Sequence, residues 1–149
     1  MPPQFGELAA GLMYQDRPAA FGIAVKDGRI AVVHIDKGDK GSWTDLPGGA
    51  IDPGEDAAQA VVREFGEETG LAITAGAAFA RADQRFINTD GTPYNNRGTF
   101  FEVEVTGEAP ALKVEDDHTL AWMTPEEALR RLRHEAHAWA VAAWMRRQG

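Results

Sequence analysis

Residues 46–71 read LPGGAIDPGEDAAQAVVREFGEETGL, and this stretch decides the fold of the chain. It passes from a glycine-rich turn into a helix, because Asp56 is a favourable N-cap, Gln59 stands at the capping-box position and Gly70 suits a left-handed helix stop. At about 100° per residue, the apolar side chains fall on one side of this helix and the glutamates on an adjacent side. The stretch therefore predicts a helix from near Asp56 to Gly70, with an acidic cluster beside its core-facing stripe.

The acidic cluster lies in the second half of this helix, where Glu67 and Glu68 follow Glu64 at spacings of three and four residues. These spacings bring like charges together, and negative charge near the C-terminal end of a helix also opposes its macrodipole. Arg63, four residues before Glu67, relieves only part of the repulsion. The cluster is either a solvated helix face or a site for a hard divalent cation such as Mg²⁺ or Mn²⁺, which prefers carboxylate and water oxygens.

The spacing of the glycines and charged residues forms a longer pattern. Gly49 is followed after five residues by Glu55, and after seven more by REFGEETGL at residues 63–71. This pattern resembles the complete Nudix box of the Nudix hydrolase family (MutT-like proteins), and the resemblance extends loosely along nearly the whole chain. It implies an α+β fold of that family's type, an α/β/α sandwich with a mixed β-sheet between helices.

The resemblance also implies roles for single residues. The catalytic carboxylates would be Glu64, Glu67 and Glu68, and the same three would hold the cofactor, Mg²⁺ (or Mn²⁺), together with the carbonyl of Gly48. The expected general base is Glu67 or Glu68, with an acidic residue of the later segment at residues 115–118 as the alternative. That segment, Glu-Asp-Asp-His, is equally compatible with an ordinary solvated loop.

Glu55 and Arg63 are expected to form a contact that supports the metal ligands from behind. The reaction that the resemblance implies is hydrolysis of the diphosphate linkage in a nucleoside diphosphate linked to another group, X. The alternative is a Nudix-like domain that binds a nucleotide or metabolite as a sensor without catalysis. An isomerase on the same fold is disfavoured, because those enzymes use a catalytic cysteine and this chain has none.

Candidate substrate contacts lie outside the box. Three aromatic residues are placed to stack on a base and one arginine to contact a phosphate, although each also suits a structural role: Trp43, Phe86, Tyr94 and Arg97. Two residues, Thr44 and Asp45, separate Trp43 from Leu46, where many relatives have one. The base contacts of nucleotide-pool-cleaning relatives therefore do not transfer simply, and the sequence does not identify X.

The length, composition and net charge of the chain limit the number of domains and the classes of partner. A chain of 149 residues with 44% hydrophobic residues fits a single domain, residues 1–149. Its 23 acidic and 15 basic residues give a net charge of −8, which disfavours nucleic-acid polymers and anionic membranes. A small phosphorylated substrate stays compatible because a bound cation reverses the local field, and the resemblance implies a nucleotide derivative. With no leader or membrane-spanning run, a cytoplasmic protein is expected.

The remaining secondary structure is predicted from periodicity and turn residues. Strands are expected at residues 21–25 and 30–35, joined by a hairpin at Asp27-Gly28, and later at 75–86, 99–106 and 120–123. Residues 36–45 predict a loop. Thr124 and Pro125 predict the start of a helix toward Arg133, and a last helix reaches Arg147. Two tryptophans of that helix would pack internally or form a subunit contact in a homodimer: Trp139 and Trp144. Two histidines there suit packing better than metal binding: His134 and His137.

Overall fold

Strands and helices alternate along the chain, and the computed structural model describes residues 1–149. The first six strands precede the first helix: β1 (Gln4–Phe5), β2 (Gln15–Ile23), β3 (Val25–Lys26), β4 (Arg29–Asp36), β5 (Ser42–Asp45) and β6 (Gly48–Ala50). The other elements follow as α1 (Ala57–Thr69), β7 (Leu71–Ile87), β8 (Pro93–Glu108), β9 (His118–Met123), α2 (Pro125–Arg131) and α3 (Glu135–Gln148). Single 3₁₀ turns lie at Gly38–Lys40 and Pro110–Leu112.

Helix α1 begins and ends where the local sequence predicts. The Asp56 carboxylate accepts from the N–H of Gln59 at 2.8 Å, and the Gln59 side-chain oxygen accepts from the N–H of Asp56 at 2.9 Å. Gly70 ends the helix with φ 74°, and its N–H donates to the Gly66 carbonyl. This capping box and left-handed stop satisfy backbone groups that a helix otherwise leaves unpaired.

The larger sheet is mixed and has the strand order β1-β7-β8-β2-β6. Strands β7 and β8 form a long antiparallel hairpin, β2 lies parallel to β8, and β6 lies antiparallel to β2. Phe21 of β2 is in register with Phe100 on one side and with Gly48 on the other. Strand β2 therefore fixes the position of the glycine-rich turn that leads into α1.

The smaller sheet is centred on β4, which pairs antiparallel with β3, β5 and β9. The predicted Asp27-Gly28 hairpin is present, with φ 52° and 74°, as a tight turn between two strands requires. The prediction of a loop over residues 36–45 was wrong at its end, because Trp43 pairs with Ile35 in β5. Its polar sequence lacks strand alternation, and pairing with β4 determines its conformation.

Strand β2 has hydrophobic residues on both faces and supplies two cores. Phe21 packs on the side of α2 and α3, whereas Ala20 packs on the side of α1 with Phe65. Helices therefore cover both faces, which confirms the predicted α/β/α sandwich. Trp144 is buried in the first core, and Trp139 packs against it beside Phe5. None of the helices combines the length and apolar character needed to cross a membrane.

Candidate active site

Arg63 organises the outer side of the acidic cluster. Its Nε and Nη2 donate to the two oxygens of Glu55 at 2.8 and 2.9 Å, and Nη2 also donates to the Ala50 carbonyl at 3.1 Å. The hydrogen bonds from Arg63 to Glu55, together with one from the Asp52 N–H, lower the pKa of Glu55 to about 2. The arginine thus ties the helix to the turn before it and holds Glu55 ionised.

The three glutamates of α1 have different surroundings. Arg63 Nη1 donates to Glu64 at 3.0 Å and to Glu67 at 3.1 Å. Glu68 lies away from the arginine, is 6% exposed, and accepts from the N–H of Gly48 at 3.1 Å. The Nε2 of His118 lies 3.7 Å from its other oxygen. One carboxylate is therefore buried in the cluster without an arginine or lysine partner.

Burial and like charge destabilise the ionised forms of the inner pair. Burial raises the pKa of Glu64 and raises that of Glu68 further, because Glu64 repels a charge on Glu68. The N–H of Gly48 offsets only part of this effect. Two adjacent carboxylates in a low-dielectric site form an arrangement that a bound cation would stabilise.

The glycines before α1 leave space for these carboxylates. A Cβ on Gly49 would lie 2.9 Å from the Glu64 carboxyl carbon, too close without a displacement. A Cβ on Gly48 would lie 2.1 Å from the Ala20 carbonyl oxygen, and Gly48 has φ 146°, a region that other residues rarely adopt. A side chain at position 48 would therefore clash with backbone, whereas one at position 49 would displace the Glu64 carboxyl group.

The donor set fits a hard divalent cation. Glu64 and Glu68 lie next to each other beside a backbone turn, and Arg63 links Glu67 to Glu64. All these donors are oxygens, and no thiol is present in the chain. Mg²⁺ and Mn²⁺ prefer such ligands and leave other positions to water and substrate phosphates. That Glu64, Glu67, Glu68 and the carbonyl of Gly48 hold the ion stays a prediction from the sequence.

A cleft of about 100 Å³ opens next to Glu68. Gly48, Gly49 and His118 line the end that adjoins α1. The rest of the lining, which we call the distal pocket, consists of side chains from other elements or their ends: Arg17, Asp45, Phe86, Asn96, Arg133 and His134. The cleft thus runs from the carboxylates to a group of aromatic and polar side chains.

The structure brings three of the four candidate substrate residues into or beside the distal pocket. Phe86 lines the cleft, and the guanidinium groups of Arg17 and Arg133 lie 5.4 and 5.8 Å from its ring centre. Trp43 contacts the Arg133 guanidinium at 4.4 Å, and Tyr94 contacts that of Arg17 at 4.5 Å. The aromatic residues therefore surround two arginines at this end.

Arg97 lies apart from the cleft. Its guanidinium bonds Asp83 at 2.5 Å and Asp16 at 3.0 Å, on the face of β8 opposite to Asn96. Strand alternation explains the difference, because the neighbouring residue Asn96 faces the cleft and binds Arg17. Arg17 and Arg133, which carried no motif signal in the sequence, are the arginines that line it.

The segment at residues 115–118 lies over the C-terminal end of α1. The N–H groups of Val114 and Glu115 both donate to the Glu67 carbonyl at 3.0 Å. Asp117 pairs with Lys37 at 2.5 Å and contacts His118, so hydrogen bonds from both lower its pKa to about 2. The segment therefore places His118 beside Glu68, while Lys37 neutralises Asp117.

Comparison with known proteins gives matches over most of the chain. A model of the NUDIX domain matches residues 16–145. A solved NUDIX hydrolase from Nitrosomonas europaea has a TM-score of 0.74 at 18% identity, over 88% of this chain and 89% of that one. A MutT NUDIX hydrolase from Burkholderia pseudomallei has a TM-score of 0.58 at 27% identity, over 87% of this chain and 98% of that one.

A shorter match has a higher identity. An RNA pyrophosphohydrolase of Sphingopyxis alaskensis is 45% identical over 49 residues, which is 33% of this chain and 30% of that protein. The match therefore spans less than a third of that relative. The domain match, in contrast, spans most of the 149 residues and includes the helix, the glycine turn and the cleft. This chain belongs to the Nudix family.

Proposed function

We propose that this protein is a metal-dependent hydrolase that cleaves the diphosphate linkage of a nucleoside diphosphate linked to another group, X. The observation that carries the proposal is the buried carboxylate of Glu68, placed next to Glu64 at the end of a cleft. Stability alone disfavours such a pair, and a divalent cation with a phosphate ligand makes it favourable. The cofactor would be Mg²⁺ or Mn²⁺.

Different site residues would bind the cation, position the carboxylates and attract the substrate. Glu64, Glu67, Glu68 and the carbonyl of Gly48 would hold the cation, and Arg63 with Glu55 would keep the carboxylates in place. When bound, the cation supplies charge neutralisation for the diphosphate and lowers the pKa of the attacking water. Arg17, at the far side of the cleft, is placed to attract an anionic substrate.

A carboxylate would take the proton from the attacking water, and we propose Glu67 or Glu68 for this role. Glu67 is the more exposed, with 30% of its side chain accessible, and Glu68 the more buried. The alternative base is an acidic residue of the segment at residues 115–118, whose His118 lies beside Glu68. Replacing the base should lower kcat by about 10² to 10⁴-fold. Because both glutamates are also proposed metal ligands, the single glutamine variants would be compared with wild type at saturating Mg²⁺.

The substrate is proposed to be small. The net charge of −8 opposes association with a nucleic-acid polymer, whereas a metal ion locally reverses the field for one diphosphate. The relative named as an RNA pyrophosphohydrolase matches over only 49 residues, so its name does not identify the group X of this protein's substrate. A cytoplasmic location and a homodimer remain predictions from the sequence.

The proposal is tested by a hydrolysis screen with Mg²⁺ over (d)NTPs, oxidised nucleotides, nucleotide sugars and dinucleoside polyphosphates. We expect release of phosphate, pyrophosphate or a nucleoside monophosphate with at least one class, and loss of this release in Glu68→Gln. Metal-independent binding without turnover across the panel would instead support a sensor. Turnover that persists unchanged in chelator would also contradict the proposal.

A further inference from the structure

Arg17 is a half-buried arginine of β2 that lines the cleft and forms no ion pair with a carboxylate. Its Nε donates to Asn96 Oδ1 at 2.8 Å, whereas Nη1 and Nη2 have no hydrogen-bond partner in the protein. No buried side-chain nitrogen is fully enclosed without a partner, so both Nη atoms reach the cleft. A guanidinium donates through all three nitrogens, and the donors on Nη1 and Nη2 therefore remain available to a ligand.

Two aromatic rings and one amide hold this guanidinium in place. Its central carbon lies 4.5 Å from the ring centre of Tyr94 and 5.4 Å from that of Phe86, while Asn96 accepts from Nε. Cation–π contacts stabilise a guanidinium without neutralising its charge. The group is therefore positioned in advance, with its Nη edge open to the cleft.

The other charged groups of the distal pocket compensate one another. Arg133 donates to the two oxygens of Asp45 at 2.8 and 3.3 Å, and burial lowers the pKa of His134 to about 2, so this imidazole is neutral. Burial also lowers the pKa of Arg17, on which Glu64 acts through space without forming an ion pair. Partial burial of a charge without a counter-ion costs stability. Arg17 is thus the uncompensated cation of the pocket.

The strand register brings Arg17 close to the turn that leads into α1. Ala19 of β2 pairs with Ala50, and Ala20 pairs with Gly49. Arg17 precedes Ala19 by two residues, so it lies on the same face of β2 and about 7 Å further along the strand. Arg17, Gly49 and Glu68 line one cleft of about 100 Å³. A ligand with two successive anionic groups would therefore span the carboxylate-bound cation and the guanidinium.

We propose that Arg17 binds a phosphate of group X, and that the substrates are nucleotides in which X is a phosphate or a polyphosphate chain. The flat fork of a guanidinium matches two oxygens of a phosphate, and a phosphate chain continues directly from the diphosphate. The uncharged sugar of a nucleotide sugar would leave Arg17 partly buried without a counter-ion. The inference rests on the proposed function, which places the diphosphate beside Glu64 and Glu68.

The test measures equilibrium binding, so that it does not depend on turnover. Isothermal titration calorimetry with excess Mg²⁺ would use the α,β-methylene analogues of ATP, GTP, CTP and UTP, in which the bridge between the first two phosphates resists hydrolysis. Each is compared with the diphosphate analogue of the same base. For at least one base, we expect wild type to bind the triphosphate analogue at least about tenfold tighter. Equal affinities within every pair, or no binding of any triphosphate analogue, would overturn the proposal.

Two variants of Arg17 identify the phosphate that it contacts. Arg17→Gln removes the charge and should weaken binding of the triphosphate analogue at least about tenfold, with the diphosphate analogue within about twofold of wild type. Arg17→Lys keeps the charge without the fork, so its loss should be smaller and confined to the triphosphate analogue. Equal losses for both analogues would place Arg17 on the shared diphosphate and overturn the proposal. If Arg17→Gln does not fold, Arg17→Lys decides, and an unchanged preference would overturn the proposal.

Arg81→Gln is the matched control, because Arg81 is an exposed arginine of β7 and the substitution changes the net charge equally. Its preference for the triphosphate analogue should equal that of wild type. An equal loss in Arg81→Gln would show that net charge alone sets the preference, and would overturn the proposal.

Hydrolysis of UTP and UDP-glucose with Mg²⁺ separates this inference from the proposed function. If binding depends on Arg17 but no nucleotide is hydrolysed, the proposed catalysis fails while the phosphate site stands. If UDP-glucose is hydrolysed in preference to UTP, and Arg17→Gln does not alter that ratio, the catalysis stands and the phosphate site is overturned.

Discussion

Glu68 has one hydrogen-bond donor within the protein, the N–H of Gly48, and its carboxylate is buried beside that of Glu64. Burial of an acidic group raises its pKa and makes its ionised form a cost to the folded state. A residue that helped only folding would be neutral at this position. The same carboxylate is useful if the site holds a cation, so stability and the proposed activity place opposite demands on it.

The first prediction concerns the stability of Glu68→Gln. An amide keeps an oxygen for the Gly48 N–H and removes repulsion from Glu64, so the metal-free variant should melt at or above the wild-type temperature. Addition of Mg²⁺ or Mn²⁺ should raise the melting temperature of wild type by more than that of the variant, because ligand binding stabilises the folded state. Equal shifts, measured by differential scanning calorimetry, would rule out a metal site at Glu68.

The second prediction concerns pH and His134. Its pKa is lowered from 6.5 to about 2 by burial, and by the nearby charges of His137, Arg133 and Arg17. The unfolded chain therefore binds a proton that the folded chain excludes, so the stabilisation is complete above pH 6.5 and is lost as pH falls below it. The wild-type free energy of unfolding should fall by roughly 1.4 kcal/mol more per pH unit than that of His134→Phe between about pH 6 and 4. Parallel urea-unfolding profiles for the two proteins would contradict this.

At the scale of elements, the site depends on the approach of β6 to helix α1. The capping box of α1 and its Gly70 stop are local features, which is why both ends of the helix could be predicted from sequence. The position of β6 is set by β2, through pairing of Phe21 with Gly48. Such pairing between distant segments has no local signal, and it determines how close the glycine turn lies to the carboxylates.

The third prediction compares alanine at two adjacent glycines. Gly48→Ala should destabilise the fold, by roughly 2 to 4 kcal/mol, because the new Cβ meets the Ala20 backbone and φ is unfavourable. Gly49→Ala meets the Glu64 carboxyl group, a side chain that can move, so it should fold nearly as well as wild type but bind Mn²⁺ at least about tenfold more weakly.

Urea unfolding and Mn²⁺ titration followed by electron paramagnetic resonance would separate these two effects. Gly54→Ala provides a reference for the cost of positive φ alone, because Gly54 has φ 83° and no atom near its Cβ position. If Gly49→Ala binds Mn²⁺ like wild type, the fit of that glycine against Glu64 has no bearing on the metal site.

At the scale of the whole molecule, the sequence predicted one end of the cleft well and the other poorly. The carboxylates come from a single helix, so spacing along the chain was enough to bring Glu64 and Glu68 together. The distal pocket joins residues far apart in sequence: Asp45 binds Arg133 across 88 positions, and Arg17 binds Asn96 across 79. Arg97 and Asn96 show the same limit, since the strand register decides which of the two faces the cleft.

The central claim is that the glutamates of α1 hold a cation that is needed for hydrolysis of a diphosphate linkage. Its most direct test is kcat/KM with Mg²⁺ for wild type, Glu68→Gln and Glu104→Gln, which changes an exposed glutamate of β8 in the same way. We predict a loss of about 10² to 10⁴-fold in Glu68→Gln and a value within about twofold of wild type in Glu104→Gln. A Glu68→Gln protein that hydrolyses the substrate as fast as wild type would contradict the claim.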